Sequence, residues 1–393
     1  MFDNLTDGPL PYDAPWEQEP LAERLAMLRG GRPRVAWLYE LPDTSTFRYR
    51  CRNPSLTLSA AYPGTGASWF ERKDIPALAR EVMNVDVLVI CRYRYDSEVA
   101  RLVARARAGG TRVLFDCDDL IFDTQQVHLL LETLDQPTDA AVHWDLWFAL
   151  VGRVGATARL CQGGVTTNGF LAHRMADLLG GAPVGIIPNY LAPDQEVISR
   201  QLLDAKRRRG FHGDGRVTVG YFSGSPTHNK DFAVAAPALA RLLTADPLVD
   251  LRIVGFPPPN GPLASFEGRI EIVPLQDYLN LQRVIAEVDV NIAPLRDNLF
   301  TNCKSELKFF EAAVVGTWTV ATPTFTFRRA IRDGVTGRLA RSHEWDTALA
   351  EAVALVRDPA RYAPIAEAAA AEAYATYGWD QQAPRILDAL GLG

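Results

Sequence analysis

The feature that most constrains the fold of this 393-residue chain is a regular alternation of short apolar runs with helical segments. In the first half, apolar runs of strand length occur at 34–39, 86–91 and 112–115, and a segment with helical spacing at 97–108 ends at two glycines. Runs that are apolar along their whole length indicate strands buried on both faces, and helices between them indicate a parallel sheet. The first half therefore predicts a doubly wound α/β domain.

The alternation breaks at Pro188-Asn189-Tyr190 and restarts after a polar, charged segment at 191–215. The second series of strands is predicted at 217–222, 251–256, 270–275, 290–295 and 317–321. Helices are predicted between and after these strands, at 232–243, 278–288, 304–315 and 347–356. Two doubly wound domains place a cleft between the carboxyl ends of two sheets, which is where open α/β folds bind ligands.

These patterns divide the chain into five parts. They are an N-terminal arm at 1–33, an N-terminal Rossmann-like domain at 34–190, a linker at 191–215, a C-terminal Rossmann-like domain at 216–375 and, at 376–393, a helix that crosses back toward the N-terminal domain. The basic triplet of the linker, at 207–209, is interpreted as a solvated helix face.

The composition excludes several classes of protein. Acidic residues exceed basic ones, 47 to 41, and the net charge of −6 argues against a general nucleic-acid binder. Five scattered cysteines without a C-x-x-C pair predict reduced thiols, and six histidines without metal-ligand spacing predict no metal site. The N-terminus lacks the features of a signal peptide, and no apolar run approaches the ~20 residues of a membrane span. We expect a soluble cytoplasmic protein, with contact at the inner face of a membrane left open.

Lysine is rare in this chain, and its placement is informative. Only five of the 41 basic residues are lysines, and three of them, Lys230, Lys304 and Lys308, fall in two short polar segments. In a chain that otherwise uses arginine, this placement favours compact ammonium groups beside phosphates.

The first of these segments, SGSPTHNKD at 223–231, follows the predicted strand at 217–222. A Gly/Ser turn between a strand and a helix exposes backbone N–H groups that favour phosphate. The segment is neither a G-x-G-x-x-G nor a Walker A sequence. Its candidate ligand-binding residues are Ser223, Gly224, Ser225, Thr227, His228 and Lys230. The alternative is an ordinary polar loop in which Asp231 caps the next helix.

The second segment, NCKSELKFFEAA at 302–313, is predicted to be a helix whose start points into the cleft. Lys304, Lys308 and Glu311 are spaced to share one face of it. A lysine in the first turn opposes the helix dipole unless an anion is bound there. Glu311, two turns further on, is suited to accept hydrogen bonds from sugar or ribose hydroxyls. The alternative is a weak surface network of lysines and glutamate.

The acidic run Asp116-Cys117-Asp118-Asp119 follows the predicted strand at 112–115. At a strand end facing the cleft, Asp118 and Asp119 are candidates for contacting a bound ligand. Two alternatives are a D-x-D metal site and a helix cap at Asp119.

A loop at 43–50 follows the first strand and is predicted to overhang the cleft. Arg48 and Arg50 in this loop are candidates for binding an anionic acceptor or donor phosphates bidentately. The alternative is that both arginines pair with structural carboxylates.

With these segments in place, the second half resembles the donor-binding domain of retaining GT-B glycosyltransferases of the family-4 type, also called glycosyl transferases group 1. GSPTHNKD resembles their donor-phosphate loop, and KSELKFFEAAVVGTWTVATPT resembles their signature helix and the following strand. The resemblance implies that Glu311 holds the nucleotide ribose and that Lys304 and Ser305 lie near pyrophosphate or sugar. The chain departs from the pattern at Cys303, where the family has the first acid of its E-x7-E pair. It departs again at Asp118, where many members have a histidine. The resemblance implies that Asp118 or Asp119 orients the acceptor hydroxyl or contacts the transferring sugar.

The resemblance implies a GT-B fold and a metal-independent hexosyltransferase that retains anomeric configuration. The substrate would be a nucleotide-diphospho-sugar with UDP, GDP or dTDP, and the acceptor a glycan, lipid-linked or other hydroxyl in bacterial polysaccharide or cell-surface glycan synthesis. No cofactor is expected. Catalytic roles are expected for Asp118, Lys230 and Lys304. The alternatives are a non-catalytic binding partner and a GT-B-shaped sugar-nucleotide epimerase.

Overall fold

The computed structural model describes the chain from residue 2 to residue 393, except at residues 3, 4, 7, 212, 225–228 and 256–260. Two six-stranded parallel sheets, each flanked by helices, form its framework. The doubly wound α/β class predicted from the sequence is therefore confirmed for both halves.

The first sheet has the strand order β2-β1-β3-β4-β5-β6. Its strands are β1 (Arg34–Tyr39), β2 (Gly66–Glu71), β3 (Val87–Cys91), β4 (Arg112–Asp116), β5 (Gly163–Thr166) and β6 (Val184–Ile186). Its helices are α1 (Leu21–Arg29), α2 (Asn53–Ala61), α3 (Ile75–Glu81), α4 (Ser97–Ala108), α5 (Val127–Thr133), α6 (Ala141–Ala158) and α7 (Gly169–Leu178).

The second sheet has the order β12-β11-β10-β7-β8-β9. Its strands are β7 (Val217–Phe222), β8 (Val249–Val254), β9 (Ile270–Val273), β10 (Val290–Ala293), β11 (Trp318–Ala321) and β12 (Arg338–Leu339). The remaining helices are α8 (Pro193–Arg208), α9 (Asn229–Phe232), α10 (Ala236–Ala245), α11 (Tyr278–Glu287), α12 (Leu299–Asn302), α13 (Leu307–Ala313), α14 (Phe327–Ala330), α15 (Trp345–Val356), α16 (Pro359–Tyr377) and α17 (Ala383–Ala389).

Local sequence explains why the helices begin and end where they do. The side chain of Asp96 caps α4 by accepting hydrogen bonds from the backbone N–H groups of Glu98 and Val99. The helix ends at Gly109 and Gly110, and Gly110 has a φ of 83°, which favours glycine. The apolar side chains of α4 pack on the sheet, as its helical spacing predicts.

The segment at 43–52 differs from the predicted overhanging loop. Residues Arg48–Arg52 form a π-helical turn that continues directly into α2, and all five of its residues are buried. One-turn π-helices occur often at functional sites because they redirect side chains. This turn brings Arg48 and Tyr49 to the boundary between the two sheets.

Two segments pass between the domains and bind each other. The first leaves β6 and leads into α8, and the second leaves α16 and leads into α17. The backbone N–H of Leu191 in the first donates a 3.0 Å hydrogen bond to the carbonyl of Tyr377 in the second. α17 packs on β6, where a Cβ at Gly185 would lie 2.4 Å from the carbonyl oxygen of Ala389. Glycine at 185 thus permits this close approach.

α8 crosses the region predicted as a linker. Its Leu202 and Leu203 are buried in the main core, while Arg207 on the outer face pairs with Asp204 and Glu367. Within the described part of the chain, no helix has both the length and the apolar character of a membrane span.

Candidate active site

A cavity of about 480 Å³ lies between the two domains, at the carboxyl ends of both sheets. We call it the interdomain cleft. Its N-terminal wall follows β1, β3, β4 and β6, and its C-terminal wall is formed around β7, β8 and α13. Its charged and hydroxyl-bearing or amide-bearing lining residues are Thr44, Ser45, Thr46, Arg48, Tyr49, Arg92, Asp118, Asp119, Asn189, Ser223, Gln276, Tyr278, Lys304, Ser305, Lys308 and Glu311.

Glu311 of α13 is 3% exposed and reaches this cleft. Its Oε1 atom accepts hydrogen bonds from the Tyr49 hydroxyl at 2.5 Å and the Gln195 amide at 3.3 Å. The guanidinium of Arg48 lies 3.9 Å from the same oxygen. Gln282 fixes the backbone at this point by donating to the carbonyl of Glu311 at 2.5 Å. The side-chain contacts to the carboxylate all use Oε1, and no hydrogen bond from the described side chains goes to Oε2.

Lys308 lies one helical turn before Glu311, as the spacing predicts. Its ammonium donates to the carbonyl of Phe222 at the end of β7 and lies 5.3 Å from the ring centre of Tyr221. Burial lowers the pKa of Lys308 to about 8, although the nearby Glu311 carboxylate favours its charged form. An anion in the cleft would therefore stabilise the protonated ammonium.

Lys304 and Ser305 connect the C-terminal wall to the N-terminal wall. The ammonium of Lys304 lies 3.5 Å from Oδ1 of Asp119. The side-chain amide of Asn189 donates a 3.1 Å hydrogen bond to the Ser305 hydroxyl. Donor-side and acceptor-side residues predicted from separate segments thus meet in one cleft.

The predicted helix at 304–315 is wrong at its start, because α13 begins only at Leu307. The carbonyl of Cys303 accepts a hydrogen bond from Asn168, and that of Lys304 accepts one from the Thr326 hydroxyl. These long-range partners replace the helical hydrogen bonds that residues 303 and 304 would otherwise make. Lys304 is therefore in a bend, and the helix-dipole argument does not apply to it.

Asp118 lies between two donors on the N-terminal wall. Its Oδ2 accepts from the Thr46 hydroxyl at 3.1 Å, and its Oδ1 accepts from Arg92 at 3.1 Å. Arg92 directly follows β3 and has a φ of 46°, a strained value for a residue other than glycine. The site thus holds Arg92 in a costly backbone conformation that places its guanidinium beside Asp118.

The two candidate arginines, Arg48 and Arg50, lie in different environments. Arg50 is fully buried and donates bidentately to Asp116, at 2.9 and 2.8 Å, so its proposed acceptor-side role is wrong and the structural-pair alternative is right. Arg48 does reach the cleft, where it donates to Gln195 at 2.8 Å and approaches Glu311. Arg48 therefore lies beside Glu311 in the cleft, and its predicted role there stays a prediction.

Lys230 does not line the interdomain cleft. Its ammonium donates to the carbonyl of Glu132 in α5 at 2.9 Å and lies 3.3 Å from Asp135, which follows that helix. These acceptors hold the lysine at the outer rim between the domains. Ser223 and Gly224 do line the cleft, whereas Ser225, Thr227 and His228 fall outside the described residues.

Residues 216–358 match the family model for glycosyl transferases group 1. This part of the chain is therefore similar to that family. The matched range contains the second sheet, Lys308 and Glu311, so the resemblance carried by the signature helix is confirmed.

Solved structures extend the fold likeness to almost the whole chain. HepE of Anabaena, in complex with UDP and glucose, is 12% identical and covers 91% of this chain and 99% of its own, with a TM-score of 0.58. Sucrose-phosphate synthase of Thermosynechococcus elongatus is 13% identical over 90% and 97% of the two chains, with a TM-score of 0.56. A glycosyltransferase of Rickettsia africae is 12% identical over 91% and 97%, with a TM-score of 0.58. No curated protein matches the sequence. The fold is GT-B.

The group 1 domain departs from its family pattern at Cys303 for a packing reason. Cys303 is fully buried in an apolar cluster that includes Phe115 and Phe300, from the two domains. An acid at this position would be buried in that apolar cluster, which is costly. Gly316, which precedes β11, has a φ of 63°, and a Cβ there would lie 2.7 Å from the ring of Phe211.

Several polar residues of the cleft were not predicted from the sequence, among them Tyr49, Arg92 and Asn189. Arg92 directly follows the buried strand β3 and Asn189 comes shortly after β6, so their positions at the carboxyl ends of strands could have identified them. Tyr49 carried no such signal, because its orientation depends on the π-helical turn.

Proposed function

We propose that the protein transfers a hexose from a nucleotide-diphospho-sugar to an acceptor hydroxyl, with retention of anomeric configuration. The observation that carries this proposal is the carboxylate of Glu311 in the interdomain cleft of a group 1 domain. One of its oxygens is held by Tyr49, and the other is left to accept hydrogen bonds from ribose hydroxyls.

In this proposal Lys308 and Lys304 neutralise the diphosphate. Lys308 is in α13, and its ammonium lies at the end of β7, next to the start of the predicted donor-phosphate loop. No carboxylate of the described residues forms an ion pair with it. As the bond to the sugar breaks, negative charge grows on the leaving diphosphate, and a preorganised ammonium stabilises that charge more than it stabilises the substrate. Ser305 adds a hydroxyl beside them.

Asp118 is proposed to orient the acceptor or the transferring sugar. Arg92 and Thr46 both donate hydrogen bonds to it, which fixes the orientation of its carboxyl group. In the retaining mechanism that the family resemblance implies, the leaving diphosphate helps to remove the acceptor proton. Asp118 would then act by positioning.

We propose that the reaction needs no metal ion. The carboxylates of the DCDD run are already used by cations: Asp116 by Arg50, Asp118 by Arg92, and Asp119 by Lys304. The positive charge that a divalent cation would bring to these carboxylates is thus partly supplied by arginine and lysine side chains.

UDP is the first nucleotide to test, because the HepE structure contains UDP, with GDP and dTDP as comparisons. We further propose a glycan or lipid-linked acceptor in bacterial polysaccharide or cell-surface glycan synthesis, in the cytoplasm or at the inner membrane face. These finer assignments rest on the family resemblance.

The proposal is tested by incubating the protein with UDP-, GDP- and dTDP-hexoses and a panel of glycan and lipid-linked acceptors. We expect nucleoside diphosphate release that depends on an acceptor, and NMR coupling constants that match the donor's anomeric configuration. Asp118→Asn should lower kcat at least tenfold, while Asp139→Asn, an exposed aspartate outside the cleft, should not. Donor turnover without any acceptor would instead support the epimerase, and nucleotide binding without turnover would support a binding partner.

A further inference from the structure

A second cavity, of about 340 Å³, lies at the junction where the chain passes between the domains. We call it the hinge cavity. Both crossing segments line it, through Pro188 on one side and Tyr377 on the other. Its size lies at the lower end of the range for small-molecule sites, about 300–1,000 Å³.

The hinge cavity shares a wall with the interdomain cleft. Ser305 lines the cleft and its neighbour Glu306 lines the hinge cavity. The same alternation places Asn189 in the cleft and Pro188 in the hinge cavity. The 3.1 Å hydrogen bond from Asn189 to Ser305 runs within this wall and joins the two domains.

Two arginines on the rim of the hinge cavity have no acidic partner among the described residues. Arg329 of α14 stacks on the ring of Phe325, 4.4 Å from its centre. Arg385 of α17 donates only to uncharged oxygens, those of the Thr376 carbonyl and the Gln382 side chain. They come from opposite sides of the junction, and each keeps N–H donors for an anion.

Glu306 lines the same cavity, and its carboxyl group favours hydrogen-bond donors where the arginines favour an anion. Its Oε1 accepts a 3.0 Å hydrogen bond from the Tyr377 hydroxyl, and the carboxyl group also accepts one from its own backbone N–H. No other described side chain donates to it. Burial raises the pKa of Glu306. A ligand here must offer hydroxyl groups to Glu306, and Asn168 adds an amide to the same wall. A cavity with an anion-binding rim and a carboxyl interior fits a small molecule that carries both a phosphate and several hydroxyls.

We propose that the hinge cavity binds a phosphorylated monosaccharide, with its phosphate between Arg329 and Arg385 and its hydroxyls at Glu306. Because the ligand contacts both crossing segments, binding fixes the angle between the domains. Because the cavity shares a wall with the cleft, this ligand and a nucleotide in the cleft change each other's affinity by the same factor. The coupling to the nucleotide rests on the proposed function, whereas the binding itself does not.

The test is calorimetry on the full chain with glucose 6-phosphate as probe, and with glucose and inorganic phosphate as separate arms. We expect glucose 6-phosphate to bind at least tenfold more tightly than glucose or inorganic phosphate. The double variant Arg329→Gln/Arg385→Gln should weaken this binding at least tenfold. Arg328→Gln, an exposed arginine of the same helix that does not line the cavity, should leave it unchanged.

Repeating the titrations with saturating UDP separates this inference from the proposed function. A change in the glucose 6-phosphate affinity that disappears in the double variant supports the coupling. If UDP does not bind at all, the proposed function fails, but probe binding that depends on the two arginines still supports the hinge site. Three results would overturn the inference. Glucose 6-phosphate does not bind, inorganic phosphate binds as tightly as glucose 6-phosphate, or glucose 6-phosphate and UDP compete in the double variant as they do in the wild type.

Discussion

The hydroxyl of Tyr49, in the N-terminal domain, donates a 2.5 Å hydrogen bond to Oε1 of Glu311 in the C-terminal domain. Burial raises the pKa of Tyr49 far above the usual value, so the hydroxyl keeps its proton and acts as the donor. The carboxylate proposed to hold the nucleotide is therefore oriented by the opposite domain. Nucleotide binding and the relative position of the two domains are connected through this contact.

Tyr49→Phe removes that hydrogen bond while keeping the ring that packs on Phe310. A hydrogen bond to a charged group contributes about 1.5–3 kcal/mol, so we expect the Kd for UDP to rise roughly tenfold to a hundredfold. Calorimetry measures this directly. Tyr374→Phe is the matched control, because its buried hydroxyl donates to the Val314 carbonyl away from the cleft. An unchanged Kd in Tyr49→Phe would show that Glu311 does not depend on this contact.

The lowered pKa of Lys308, about 8, predicts a specific pH dependence of nucleotide binding. The protonated ammonium is the form that binds diphosphate, so affinity is present below pH 8 and is lost as the pH rises above it. Phosphate groups, with a second pKa of about 6, do not titrate between pH 7.5 and 9.5. We expect the UDP association constant to fall by up to tenfold per pH unit above pH 8.

Lys308→Arg supplies the control for this prediction, because a guanidinium stays charged throughout the range. Its UDP affinity should not vary between pH 7.5 and 9.5, and Lys308→Gln should bind weakly at every pH. Parallel pH profiles for the wild type and Lys308→Arg would remove Lys308 from the phosphate site.

Much of the fold could be predicted because strands of a parallel sheet are apolar along their whole length. β3 and β7 lie within the apolar runs that predicted them. β2 was missed, since its sequence GASWFE mixes small, polar and aromatic residues although every one of them is buried. Because of this mixture, the burial of both faces of β2 could not be inferred from an apolar run.

The candidate site was predictable only where a local pattern fixes the geometry. Lys308 and Glu311 follow helical spacing and reach the cleft together. Arg48 and Arg50 look equivalent in a loop, but residues two apart on a helical turn point in different directions, so one reaches the cleft and the other enters the core. Lys304 lies outside α13 because of a hydrogen bond from Thr326, 22 positions further along the chain.

The buried pair of Arg50 and Asp116 predicts a large effect on stability. Removing one partner of a buried ion pair leaves an uncompensated charge and costs about 3–5 kcal/mol. We expect Arg50→Met to lower the free energy of unfolding by this amount in urea denaturation, and Arg50→Met/Asp116→Leu to recover part of it. Arg207→Gln, in an exposed pair, should cost less than ~1 kcal/mol. Equal costs for the two single variants would contradict a structural role for Arg50.

Lys206 predicts that stability rises with pH. It is fully buried among the carbonyls of Val288 and Gly316 and the Thr317 hydroxyl, and burial lowers its pKa to about 7 from 10.5. Between these values the unfolded chain binds more protons than the folded one, so the free energy of unfolding rises with pH, by at most about 1.4 kcal/mol per pH unit.

The measurement is urea denaturation between pH 7 and 9 for the wild type and two variants. Lys206→Met should lose the rise, whereas Lys73→Met, at an exposed lysine, should keep it. A rise of equal slope in all three proteins would mean that Lys206 is not its source.

The central claim is that Glu311 in the interdomain cleft holds a nucleoside diphosphate. Calorimetric titration of the wild type and Glu311→Ala with UDP, GDP and dTDP tests it most directly. The account predicts that at least one nucleotide binds the wild type more tightly than millimolar, and that Glu311→Ala weakens that binding at least tenfold. Binding no tighter than millimolar for all three nucleotides, or a wild-type affinity in Glu311→Ala, would contradict it.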